Sequence, residues 1–209
     1  MWRIAIVLIV GGGVLGFYGF NEFRLGSGAS AEPEPITMAE LEKGIPDNPH
    51  RTLGEHVVDY QSAVWSEETK KGAATGKVNF VYYGAVQKGS PELLEREKKM
   101  ILLLAKYKGN VSKIPESEIP TLGNVKVIIK NKSFTTKSAL DAALKNHTIP
   151  TSDVSGMVMN RIDGLGSEET KLLRNTYPQF DAANTVIFEV GRKPTSSGTA
   201  LLLMFGGGC

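Results

Sequence analysis

The chain has 209 residues, 41% hydrophobic and 22% charged, with 24 Lys and Arg against 22 Asp and Glu. That make-up excludes disorder over the whole length, and a formal net charge of +2, evenly spread, is too small to draw nucleic acid or an anionic lipid surface by charge alone. Cys209 is the only cysteine, which excludes an internal disulfide framework and any zinc site built on several cysteines.

The first element is apolar. From Ile4 to Phe20 no side chain is charged, and these 17 positions, at about 1.5 Å per helical residue, reach roughly 26 Å, the short end of what crosses a hydrocarbon core. Trp2 stands at one end and Phe17, Tyr18, Phe20 and Phe23 crowd the other, with Arg3 and Arg24 marking water on either side. The pattern predicts a transmembrane anchor over residues 1–24. Ala29-Ser30-Ala31 has the small-x-small form of a signal-peptidase site, but Asn21, Glu22 and Arg24 separate it from the apolar run, so an uncleaved signal anchor is the better reading. Gly12 and Gly16 have the GxxxG spacing that lets membrane helices approach, although glycines are common in such helices.

Residues 25–35 read as a flexible linker: Gly26 to Ser30 are small, and Glu32-Pro33-Glu34-Pro35 favours an extended, solvated chain. A single domain is predicted over 36–194. Thr37-Met38-Ala39-Glu40 has the capping-box form and opens a short helix through about Lys43. Thr52 to Trp65 and Lys77 to Gln87, rich in Val, Tyr and Phe, read as two antiparallel strands joined through Gly72, Thr75 and Gly76. Pro91, Glu92 and Glu95 start a helix-like segment, while Met100 to Ala105 fits a helix or a buried strand by length. Gly109 to Gly123 reads as a surface loop. Val125 to Ile129 is a predicted strand and Lys137 to Lys145 a helix. Gly156 to Met159 follows as a short strand, Ser167 caps a helix led by Glu168 and Glu169, and Thr185 to Val190 is a central strand with Val186, Phe188 and Val190 on one face and Ile187 on the other.

The order is α+β: an N-terminal transmembrane helix, then one mixed or antiparallel sheet with several short helices. The tail, 195–209, is apolar and uncharged. Pro194 to Cys209 is 16 residues, fewer than the usual twenty or so for a spanning helix. It reads equally as a marginal second anchor, a membrane-dipping segment or a last buried strand.

Chemistry leaves little trace. His50, His56 and His147 are the natural metal ligands or general bases, with Asp47 and Asp59 as nearby carboxylates, but no HxH or HExxH spacing joins them. No GxSxG elbow, P-loop or post-strand GxGxxG occurs. Gly164-Leu165-Gly166-Ser167 precedes a helix, yet Glu168 and Glu169 would repel an anion there. Asn110, Asn131 and Asn146 match the glycosylation acceptor form, which arises often by chance. No catalytic, cofactor-binding or metal-binding residue is therefore assigned.

Val125 to Lys130, Gly164 to Glu169, Tyr177-Pro178, Val186 to Glu189 and Gly191-Arg192-Lys193-Pro194, together with Ile36-Thr37 and Asn48-Pro49-His50, resemble uncharacterised bacterial membrane-anchored proteins. The resemblance implies a short N-terminal membrane helix before an α+β domain, with a second apolar segment after the Gly-Arg-Lys-Pro stretch. It implies no activity. The expected function is a membrane-tethered interaction or structural module, whose partners are the lipid bilayer and another membrane or envelope protein and not nucleic acid. A membrane-anchored hydrolase whose site assembles only in the fold is the alternative. A short N-terminal tail, an apolar run and a long domain follow signal-anchor order, which places the domain outside the cytoplasm on a chain with one span or two.

Overall fold

The computed structural model describes residues 14, 16–17, 19–145, 148–159, 167–177, 180–181 and 184–206. Positions 1–13 of the expected anchor, Gly12 included, lie outside the described residues, as do Tyr18, Asn146, His147, Gly164 to Gly166, Pro178 and Cys209. Among the described residues no helix is long and apolar enough to cross a membrane.

The chain opens with helix α1, helical at 14, 16–17 and 19–26. Three short elements follow: β1 (Glu34–Ile36), α2 (Met38–Leu41) and β2 (His50–Leu53). The Thr37 side chain accepts from the Glu40 amide while the Glu40 carboxylate takes the Thr37 amide at 2.9 Å, so the capping box read from the sequence is present. A long antiparallel hairpin, β3 (His56–Lys70) and β4 (Ala73–Val86), comes next. Its turn falls at Lys71 and Gly72, both at positive φ, and not across Gly72 to Gly76; two left-handed residues give the primed turn whose twist matches the strands.

Helix α3 (Pro91–Lys106) runs straight through Met100 to Ala105. Ser90 caps its start and Pro91 fills the first turn, where a missing amide costs nothing. The remaining elements are β5 (Val127–Asn131), α4 (Lys137–Leu144), β6 (Thr148–Thr151), β7 (Val154–Met159), α5 (Ser167–Thr176), β8 (Val186–Val190) and α6 (Ser197–Gly206).

Among the described residues eight strands form one mixed sheet in the order β1-β2-β7-β8-β5-β4-β3-β6, in which β1 with β2 and β5 with β8 pair parallel and the other neighbours antiparallel. Apolar side chains fill both faces. Ile128, Met157, Met159 and Ile187 join Leu173 and Tyr177 on one side, and Val127, Ile129, Val158, Val186 and Phe188 join Met38, Leu41 and Leu140 on the other. The predicted face assignment of β8 therefore holds, and covering both faces explains why its apolar residues run without alternation.

Two expectations are corrected. Residues 25–35 are laid against the domain instead of hanging free: Leu25 is buried in the first core, Ala29 packs on it, the Ser30 amide donates to Asn48 Oδ1 at 3.1 Å, and residues 34–36 pair with β2. The tail is not a buried strand, because 197–206 is helical and Leu202 is 71% exposed.

The main irregularity lies in β3, where pairing with β4 jumps from Asp59–Gly84 to Val64–Tyr82. The Tyr177 hydroxyl fills the gap, accepting from the Gly84 amide at 2.8 Å and donating to the Ser62 carbonyl at 2.9 Å. Each backbone group would otherwise be buried without a partner. Tyr177→Phe should cost about 2–4 kcal/mol, from two orphaned buried groups. Chemical unfolding of the variant checks this, and a loss under about 1 kcal/mol would show that the hydroxyl closes nothing.

Candidate functional site

The groups that could have formed a catalytic site are kept apart. His50 is buried with Nδ1 2.9 Å from the Ser30 carbonyl. His56 is buried with Nδ1 2.7 Å from the Gly54 carbonyl, and burial lowers its pKa below the ordinary value. Strand alternation puts His56 on the face of Val58 and Asp59 on the face of Val57, and those two valines belong to opposite cores. His56 lines a small cavity of about 120 Å3 with Glu55, Lys88 and Pro150, whereas Asp47 lines a separate open groove beside Lys43 and Arg51. His56 therefore does not share its cavity with Asp47 or Asp59, although Glu55 lines it. Among the described residues no group of three or more His, Cys, Asp and Glu is placed to hold a metal ion. Asn131 is buried, donating to the Tyr83 hydroxyl at 3.1 Å, so its acceptor motif is not presented to solvent.

What the fold does assemble are two buried polar clusters. The first sits at the β3 irregularity. Asp59 is 0% exposed, its Oδ1 accepts from the Gln61 amide at 3.1 Å, and the Arg96 guanidinium stands 3.8 Å away. Arg96 also donates to the Pro120 carbonyl at 2.8 Å and to Gln61 Oε1 at 3.0 Å, tying α3 and the 119–122 loop to the sheet. Burial pushes the Asp59 carboxyl up despite the pull of Arg96. Arg96 borders a cavity of about 370 Å3 with Glu92, Glu95, Lys99 and Thr121, but it faces inward and is itself buried. The cluster fastens the irregular strand.

The second cluster lies where the two ends of the chain meet. Glu22 of α1, buried, is bonded by Arg192 Nη2 and by Thr195 Oγ1, the latter at 2.6 Å. Arg192 Nη1 also reaches Glu189 Oε2 at 3.1 Å, and Lys132 reaches Glu189 Oε1 at 2.6 Å. Burial alone would raise the Glu189 carboxyl, yet the two cations hold it below its usual range. A Cβ on Gly26 would stand 2.8 Å from the Thr195 carbonyl oxygen, so the backbones of α1 and of the segment before α6 touch. On the two helices that meet at this junction large apolar side chains are exposed: Val14, Phe17 and Phe20 of α1 are 63%, 70% and 52% exposed, and Leu201 and Leu202 of α6 are exposed too.

No match decides the family. Neither protein-family models, nor curated proteins, nor solved structures yield a counterpart to this chain. Sequence reasoning missed the junction because Glu22 and Arg192 are 170 positions apart. The one available signal was Glu22 itself, an acid placed directly after an apolar run.

Proposed function

We propose that the chain is a membrane-tethered interaction module, anchored by its N-terminal apolar segment, with the α+β domain held at the outer surface. The observation that carries this reading is the outward face of α1. Helix α1 begins within the uncharged run from Ile4 to Phe20 and leaves Val14, Phe17 and Phe20 exposed, while Glu22 and Leu25 on its last turns are buried in the domain. Large apolar side chains aligned on a helix find their complement in hydrocarbon, and phenylalanine-rich ends suit the interface.

The interaction part of the reading rests on α3. Ile101 and Leu102 are exposed side by side on it, and Leu94 is exposed two turns earlier, apolar side chains that a partner could cover. A second membrane or envelope protein would cover them.

Replacing Leu8 and Val10 by Lys tests the tether. Two charges near the centre of the segment cost about 2.5 to 3.5 kcal/mol each on the insertion scale. The double variant should leave the membrane fraction on carbonate washing while the parent chain stays. Equal retention of both would remove the N-terminal segment from the role of sole anchor.

A further inference from the structure

We infer that α6 is a second lipid-contacting element, seated beside α1 in the membrane leaflet nearest the domain and locked to it by the Glu22–Arg192–Thr195 clamp. This rests on the tether reading and extends it from one apolar end to both. The ends are joined by built contacts, since Glu22 takes hydrogen bonds from Arg192 and Thr195, and Arg192 is in turn held by Glu189 of the central strand β8. Gly26 permits the close backbone approach that a side chain would block. Beyond the clamp, Gly19 on α1 and Ala200 on α6 are both small and buried. The sides that remain open carry Phe17 and Phe20 on one helix and Leu201 and Leu202 on the other.

Lipid is the occupant that fits these faces. The sequence carries no charge after Lys193, and the exposed Arg24 and Lys193 lie close in sequence to Glu22 and Arg192 of the clamp, where a headgroup region would meet cations. Helix α6, at 10 residues, is about 15 Å long, half of a hydrocarbon core of about 30 Å. It is long enough for one leaflet and too short for two. A buried ionic clamp at the base also sets the angle at which both helices leave the domain, because breaking it would strand charged groups away from water.

Fluorescence from the full-length chain in phosphatidylcholine and phosphatidylglycerol vesicles tests the inference. In a Cys209→Ser background, single cysteines at Phe17, Leu202 or Lys70 carry an environment-sensitive label, all three being exposed side chains. Acyl-chain spin-labelled lipid should quench positions 17 and 202 alike and several-fold more than the hairpin-tip position 70. Quenching at 17 with 202 at the level of 70 would overturn the inference and leave the tether intact. Failure of the chain to float with vesicles would remove the tether reading and the inference with it. Position 202 shielded from both spin-labelled lipid and aqueous iodide, in a chain that sediments as a dimer, would assign the face to a second copy and overturn the inference.

Discussion

Ile187→Asp is expected to abolish the cooperative thermal transition of the domain. Ile187 is buried in the fourth of the eight strands, bonded to β5 on one side and β7 on the other, and packed in the core that holds Met157, Met159 and Ile128. A carboxylate there either stays ionised in an apolar site or takes a proton at a strongly raised pKa, and both cost several kcal/mol. Against a typical total of about 5–15 kcal/mol, that is enough to unfold most of the population. Ile187→Val removes one methyl group and should cost only about 0.5–1.5 kcal/mol. Circular dichroism melts of the three chains check the pair, and a melt of the aspartate variant that matches the parent would contradict the central placement of β8.

Arg96→Met should cost about 3–5 kcal/mol near neutral pH, because it strips the facing cation from a carboxylate with no exposed surface. The pH dependence has a definite sign. Burial already raises the Asp59 pKa, and loss of Arg96 raises it further. For an acid whose folded pKa lies above its unfolded value, the penalty is full above the folded pKa and disappears as pH falls through it. The gap between parent and variant should therefore narrow from pH 7 toward acid. Asp59→Asn in the variant background should recover much of the loss at pH 7. Urea unfolding at two pH values measures this, and a gap that is constant with pH, with no rescue by asparagine, would contradict the pairing of Asp59 with Arg96.

The parts of this fold legible in the sequence are those with local causes. The capping box at Thr37 and Glu40, the paired faces of β8 and the proline start of α3 each follow from neighbouring residues. Three strands are absent from the sequence reading: β2, which the single expected strand from Thr52 to Trp65 merges with β3, and the two edges of the sheet, β1 and β6, each of which contains a proline, Pro35 or Pro150. Proline argues against a central strand and is tolerated at an edge, so Glu32 to Pro35 looked like solvated chain when residues 34–36 in fact pair with β2. Met100 to Ala105 misleads in another way. Its apolar run suggests a core, yet Ile101 and Leu102 stand in solvent on α3. The buried clusters gave no local signal at all, since Asp59 with Arg96 and Glu22 with Arg192 depend on which elements the sheet order brings together.

The buried histidines His50 and His56 set Nδ1 against the carbonyls of Ser30 and Gly54, while the buried carboxylates of Asp59 and Glu189 face arginine and lysine. Charge is spent on fastening elements together. Large apolar side chains are left exposed on α1, α3 and α6.

Alkaline carbonate extraction of the full-length chain from the membranes of expressing cells, followed by flotation, tests the tether most directly. The chain should remain with the lipid and rise with it. Complete recovery in the carbonate supernatant, or a mature chain beginning at Glu32 after a cut behind Ala29-Ser30-Ala31, would contradict the tether.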